Sequence, residues 1–232
     1  MLPIGALLVD FDGTACTADV SEALLEAFGD PDWPLYDERV DRGEMGLREA
    51  AKRQSAMLKG IREEMEAYAV AHCPLDPTFP GFVSWSEAFG LPITLVSDGF
   101  AFYIRPILEA AGLAHLDVVT NDLVFHEGPP VLRHPNGHPE CAGCGTCKML
   151  VAKRAREHHG PIAFIGEGQS DRYGAMYSDV VFAKDRLVEI CARDGVPFIP
   201  YEDFDDVREV LETGTDLPGA LDPERCPGWR TQ

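Results

Sequence analysis

The sequence predicts an α/β fold: a Rossmann-like parallel sheet with helices on both faces and a small α-helical cap inserted after the first strand. Three observations carry this. Residues 4–9 form a short, wholly apolar run closed by an acid and a glycine turn, as expected of a strand buried on both faces. Residues 20–28, 47–59 and 61–72 repeat apolar side chains every three or four positions among many Glu, Lys and Arg, as surface helices do. From residue 93 onward, β-rich runs alternate with helical patterns, which implies parallel strands joined by crossover helices.

In order, the first strand belongs to a core of residues 1–15 and 80–213, and residues 16–79 form the inserted helical cap, ending in the Pro-rich stretch 74–80. Strand 93–96, helix 100–111 and strand 118–120 follow. Residues 121–140 lack a helical period and hold Gly-Pro-Pro and Asn-Gly turns, so they read as a β-hairpin excursion. Helix 146–158, strands 162–165 and 180–183, helix 186–194 and strand 198–200 complete the core. Residues 214–232, rich in Pro, Gly and Asp, read as a loosely ordered tail. In such sheets the ligand lies beyond the carboxyl ends of the strands.

Composition narrows the function classes. The 232 residues carry 20 basic and 39 acidic side chains, a formal charge of −19, and 45% are apolar, enough to bury a sizeable core without disulfides. Such a field repels nucleic acid phosphates and anionic headgroups, so neither nucleic acid nor membrane is expected as a partner. The apolar start lacks a basic region and runs straight into Asp10, unlike a signal peptide, and no apolar run reaches spanning length. Seven cysteines, three of them crowded at 141, 144 and 147, fit a reducing cytoplasm better than secretion. Composition leaves the oligomeric state open.

Four polar clusters fall near strand–helix junctions. Asp10-Phe11-Asp12-Gly13-Thr14 follows the first strand, and residues two apart in extended backbone point the same way. Two carboxylates in one pocket repel unless a cation sits between them, and Mg²⁺ held by carboxylate oxygens is the natural compensation. A bare Asp-x-Asp also ends strands as an Asx turn. Ser97-Asp98-Gly99-Phe100 closes the second strand, where a hydroxyl and backbone N–H groups make an anion site or a simple helix cap. Lys148 lies near the start of helix 146–158, a position open to an ordinary surface lysine. Gly166-Glu167-Gly168-Gln169-Ser170-Asp171 offers two glycines for close approach and two more acids. Each is weak alone; four in this order argue for one site.

This set resembles the haloacid dehalogenase-like phosphatase superfamily, over roughly residues 2–211. Gly43-Glu44-Met45-Gly46-Leu47-Arg48-Glu49, Ser97-Asp98-Gly99-Phe100, the Cys-x-x-Cys-Lys of 144–148 and residues 179–185 resemble its phosphoserine-phosphatase-like branch, and within it the 2-hydroxy-3-keto-5-methylthiopentenyl-1-phosphate phosphatases of methionine salvage. The resemblance implies Mg²⁺-dependent hydrolysis of a small phosphorylated metabolite. Asp10 is then the nucleophile that forms an aspartyl-phosphate, and Asp12 the general acid and base. Lys148, Ser97, Phe11, Asp12 and Asp98 hold the phosphate, while Asp10, the Asp12 carbonyl, Glu167 and Asp171 hold the metal. Glu167 stands where the family usually has Asp, so its carboxylate reaches one methylene further. Phosphoserine phosphatases place a Glu after the first motif and an Arg in the cap; an ungapped alignment puts Asp19 and Gln54 there. Without that Arg a substrate carboxylate lacks its bidentate partner unless Arg48 or Arg53 takes over, so an uncharged sugar-like or ketone phosphate fits better. Phosphoserine hydrolysis, a phosphotransferase or phosphomutase on the same intermediate, and a non-catalytic phosphate- or metal-binding module are the alternatives.

Cys141-x-x-Cys144-x-x-Cys147, with His134 and His138 upstream, has ligand types and spacings compatible with structural Zn²⁺. Three small buried or reactive thiols beside the Lys148 loop are the competing reading. Cys16, Cys73, Cys191 and Cys226 read as isolated small apolar residues.

Overall fold

In the computed structural model, which describes residues 1–230, strand β1 (Ala6–Val9) leads into helices α1 (Val20–Phe28), α2 (Pro34–Asp41), α3 (Leu47–Ser55) and α4 (Arg62–His72). The chain continues through α5 (Phe79–Ala88), β2 (Ile93–Phe100), α6 (Ala101–Ala110), β3 (Asp117–His126), β4 (Gly128–Arg133) and α7 (Lys148–His159). It ends with β5 (Ile162–Gly166), α8 (Arg172–Met176), β6 (Val180–Ala183), α9 (Asp185–Asp194), β7 (Ile199–Pro200) and α10 (Phe204–Thr213). The strands form one sheet in the order β4-β3-β2-β1-β5-β6-β7. All pairings are parallel except β3 with β4. From β1 the strand order runs outward in both directions, to β2 on one side and β5 on the other, and such a switch point opens a crevice at the strands' carboxyl ends.

The apolar runs are continuous because both sheet faces are covered. Leu7 and Val9 of β1, Ala163 and Ile165 of β5, and Val180 and Phe182 of β6 enter one buried cluster, while Ala6 and Leu8, Ile162 and Phe164, and Val181 and Ala183 enter the other. Leu24, Leu25, Met65 and Ala69 of α1 and α4 join the first cluster, so the helical insertion shares a core with one face of the sheet. Two chain crossings join insertion and sheet side by side. Cys16 and Leu75 form an antiparallel bridge, the Thr17 N–H donates to the Pro74 carbonyl (3.1 Å), and the Asp76 N–H donates to that of Ala15 (2.9 Å).

Some elements depart from the sequence reading. Helix α5 begins inside the Pro-rich stretch, because Pro80 sits in the first turn, where a missing N–H is harmless. Its Phe79 and Phe82 pack on Phe204 of α10, with ring centroids 4.9 and 5.1 Å apart. Strand β2 runs on through Ser97 to Phe100 with a register shift after Val96, where the sequence suggested an end at 96. Residues 214–230 form no helix or strand, yet they are tied down. The N–H groups of Gly219 and Asp222 donate to Asp179 and Met176 carbonyls, both at 3.0 Å, and the Ala142 N–H donates to the Arg230 carbonyl at 2.7 Å. The last two residues of the expected tail lie outside the described residues. No helix among the described residues is long and apolar enough to cross a membrane.

Phe164 is fully buried at the centre of the second cluster. Phe164→Ala should lower the unfolding free energy by about 3–5 kcal/mol, read from a urea titration; an unchanged midpoint would contradict this account of the core.

Candidate active site

The site is built where β1, β2 and β5 end. After Asp10, residues 11–15 turn tightly, with the Ala15 N–H bonded to the Asp10 carbonyl (3.2 Å) and that of Cys16 to the Phe11 carbonyl (2.8 Å). The turn needs Gly13: its φ is +71°, and a Cβ there would lie 3.0 Å from Cγ of Glu167. Phe11 buries its ring, leaving only its backbone to the site. Gly99 meets a similar constraint, since a Cβ would fall 1.9 Å from the Tyr103 hydroxyl and 2.6 Å from Oδ2 of Asp12.

Lys148 reaches the end of β1 from the first turn of α7, its side chain only 1% exposed. Nζ donates to Oδ1 of Asp10 (2.5 Å), Oδ1 of Asp171 (2.6 Å) and the Ser170 hydroxyl (3.2 Å). Oδ2 of Asp171 accepts the backbone N–H groups of Glu167 and Gly168, both at 2.9 Å, which folds the loop after β5 around that carboxylate. Asp12 faces the other way. Its carboxylate accepts from the Val20 N–H (3.0 Å), the Ser97 hydroxyl (3.1 Å) and the Tyr103 hydroxyl (3.1 Å to Oδ2). Ser97 in turn accepts the Gly99 N–H at 2.8 Å.

Burial crowds these charges. It pushes Asp10 well above the usual carboxylate range, with Asp171 adding to the rise and Lys148 opposing it. Burial, with Asp19 next, raises Asp12 to about 7, and burial, with Asp171 next, raises Glu167 to about 7. Burial alone would lower Lys148, but Asp10, Asp171 and Asp98 outweigh it and hold the ammonium above its ordinary value. One cation therefore faces several acids. Asp10, Glu167 and Asp171 each offer a carboxylate oxygen within 4.8 Å of the others, and an all-oxygen, acidic donor set of this kind suits Mg²⁺. The Asp12 carboxylate is outside this trio.

Above the acids lies a cavity of about 180 Å³, walled by Asp10, Asp12, Ser97 and Glu167 below and by Asp37 and Gln54 of the insertion. Gln54 donates to Oδ1 of Asp37 at 2.9 Å. Neither neighbouring arginine enters the cavity: Arg48 donates to the Cys144 carbonyl (2.8 Å) and Arg53 to Glu49 (2.8 Å). Asp98, expected to help hold phosphate, also lines this cavity. Its buried carboxylate accepts the Thr146 N–H (2.5 Å) and so braces the loop before Lys148.

The zinc set expected from the sequence is not assembled as written. Cys141, Cys144, Cys147 and His138 line one cavity beside Lys148, but His134 is elsewhere, its Nδ1–H donating to Oδ1 of Asn121 at 2.9 Å. Burial, with Arg48 and Lys52, lowers that imidazole to about 4, so it stays neutral. Cys226, read as isolated, lines the cysteine cavity instead. Among the described residues only the acidic trio brings ligand atoms within 4.8 Å of one another. Tyr103, Ser170 and Asn121 also escaped the sequence reading. An aromatic three positions past a motif reads as core, and nothing local marks a hydroxyl or amide that works across 20 or more residues.

Known proteins share this fold. A family model described as haloacid dehalogenase-like hydrolase matches residues 7–176. The bifunctional enzyme MtnB/MtnX of Bacillus licheniformis is 29% identical over 212 residues, covering 89% of this chain and 49% of that one, so the chain spans about half its length. The 2-hydroxy-3-keto-5-methylthiopentenyl-1-phosphate phosphatase of Bacillus velezensis is 27% identical over 210 residues, 89% of each chain. Among solved structures, a substrate-bound phosphoserine phosphatase complex superposes with a TM-score of 0.69 at 16% identity, covering 90% of this chain and 97% of that one. A hydrolase of the same superfamily from Salmonella enterica subsp. enterica serovar Typhi gives 0.71 at 18%, covering 92% and 74%. At such identities the likeness is one of fold. The matched span runs from within β1 to the end of α8 and takes in all four polar clusters: this chain belongs to the haloacid dehalogenase-like hydrolase family.

Proposed function

We propose that the chain is a Mg²⁺-dependent phosphomonoesterase acting on a small phosphorylated metabolite whose remaining part carries no carboxylate. The observation that carries this reading is the buried ammonium of Lys148 shared by Asp10 and Asp171 at the floor of the cavity. Lys148 occupies Oδ1 of Asp10, which leaves Oδ2 to attack phosphorus in line as the bond to the leaving oxygen breaks. Asp12, raised to about 7, is protonated often enough to give its proton to the leaving alkoxide. The resulting carboxylate then takes a proton from the water that attacks the aspartyl-phosphate, restoring Asp10. Ser97 and Tyr103 fix the direction in which Asp12 delivers that proton. Lys148 and the N–H groups of the Asp10–Gly13 turn face the phosphate oxygens. Asp10, Glu167, Asp171 and the Asp12 carbonyl would hold Mg²⁺, which would supply the screening that lets two anions meet.

Substrate choice follows from the insertion, which closes over the cavity as a cap. It offers Gln54 and Asp37, with Asp19 capping α1 nearby, and its arginines are engaged elsewhere. A carboxylate would enter unpaired against acids, whereas hydroxyl or keto groups find donors and acceptors. The compound for which the curated Bacillus relative is named, a keto phosphate of methionine salvage, is of this kind.

Asp10→Asn should lower Mg²⁺-dependent phosphate release from a chromogenic aryl phosphate by at least about a thousandfold, and chelation should abolish the wild-type rate. Equal rates for the two proteins would refute the reaction. Against a panel of metabolites, kcat/KM for a ketone or polyol phosphate should exceed that for phosphoserine by about tenfold to a hundredfold; the reverse preference would refute the cap assignment. Stability should carry the same signature. Asp12 and Glu167 hold protons up to about pH 7 in the folded chain and only to about 4 in the unfolded one. The folded state therefore binds more protons between these values, and metal-free protein loses stability as pH rises from about 4 to 7. Mg²⁺ should flatten this dependence in urea titrations; a flat profile in chelator would contradict it.

A further inference from the structure

We propose that Cys141, Cys144, Cys147 and Cys226 form a structural zinc site that fastens the C-terminal tail to the loop carrying Lys148. The four thiols come from opposite parts of the chain and line one small, largely apolar cavity with Tyr173 and Trp229. Three follow one another at Cys-x-x-Cys steps, a spacing that zinc loops use, and the tail supplies the fourth. Residues 214–230 have no helix or strand of their own, yet Cys226 is only 9% exposed and Arg230 pairs with Ala142.

Backbone donors face these sulfurs, although burial raises Cys144, Cys147 and Cys226 and keeps them as thiols without an ion. The backbone N–H of Arg230 donates to Sγ of Cys141 at 3.2 Å, and those of Leu150 and Gly228 point at the sulfurs of Cys147 and Cys226. Sulfur accepts hydrogen bonds weakly as a thiol and strongly as a thiolate. The indole N–H of Trp229, on the wall of the same cavity, is buried without an acceptor. Arg225 stacks over that indole at 4.4 Å. His138 is not a ligand, because its Nδ1 accepts the Glu140 N–H at 3.0 Å and its ring packs on Trp229.

Zn²⁺ binds four thiolates tetrahedrally at about 2.3 Å, so the sulfurs must rotate inward onto the ion. Binding one Zn²⁺ then releases the four thiol protons to solvent and leaves two net negative charges on the site. A four-thiolate shell has no open position, so the ion is structural. Cys147 immediately precedes Lys148, so the ion clamps the approach to α7.

The full chain, produced with zinc and purified under reducing conditions, should hold one zinc per molecule by elemental analysis. Cobalt exchanged into it should show thiolate charge-transfer bands and the intense visible bands of a tetrahedral site. Cys226→Ala and Cys144→Ala should each bind less than about a tenth of the wild-type metal, while Cys191→Ala, whose thiol lies in the core away from this cavity, should retain it. Protease should cut the tail of wild-type protein faster once zinc is withdrawn. The proposal fails if the wild type stays zinc-free after incubation with the ion, if Cys226→Ala binds as much as wild type, or if mass spectrometry finds disulfides among these cysteines in the reduced preparation.

Discussion

A buried ammonium held between two carboxylates is the constraint on which the rest of the site depends. Lys148 enters at the first turn of α7, the positive end of the helix dipole, where a cation is disfavoured by about 0.3–1 kcal/mol. It stays there because Asp10 and Asp171 converge on it from the ends of two adjacent strands. Removing one partner from such a cluster leaves an unpaired buried charge, which costs far more than the dipole term. Strand, loop and helix are thereby locked to one another through a single nitrogen, and the excess of acid that remains is what a bound cation would offset.

A chain of polar contacts positions the segment that delivers this nitrogen. Asp98 holds the Thr146 N–H, and Asn121 donates to the Asp98 carbonyl (2.7 Å) while accepting from His134. Asn136 donates to the Thr120 carbonyl (2.8 Å), and Arg48 reaches across from α3 to the Cys144 carbonyl. Strands β2 and β3, the hairpin's return and the helical insertion all brace the same loop. A rigid approach of this kind lets a long, flexible side chain act as a fixed charge.

The parts legible in the sequence share one property: their chemistry is concentrated in a few adjacent residues. Asp10 and Asp12 stand out because a wholly apolar strand stops at them, and the β5 loop because two glycines flank an acid. The parallel core is legible because strands buried on both faces cannot alternate. Other features are made only by folding. Tyr103 meets Asp12 from a separate helix, Cys226 lines one cavity with three cysteines distant in sequence, and Asp98 reaches the Thr146 N–H across 48 residues. Helix α5 was hidden by the Pro-rich stretch before it and by Pro80, whose place in the first turn cannot be told from a linker until Phe79 and Phe82 are seen against Phe204.

The paired crossing at Cys16 and Leu75 bears on how the chain assembles. β1 must find β2 across the whole helical insertion, and the entropy of closing so long a loop weighs against that pairing. Once residues 15–17 and 74–76 zip together, the intervening helices become a side branch. The remaining search is then no longer than an ordinary βαβ step.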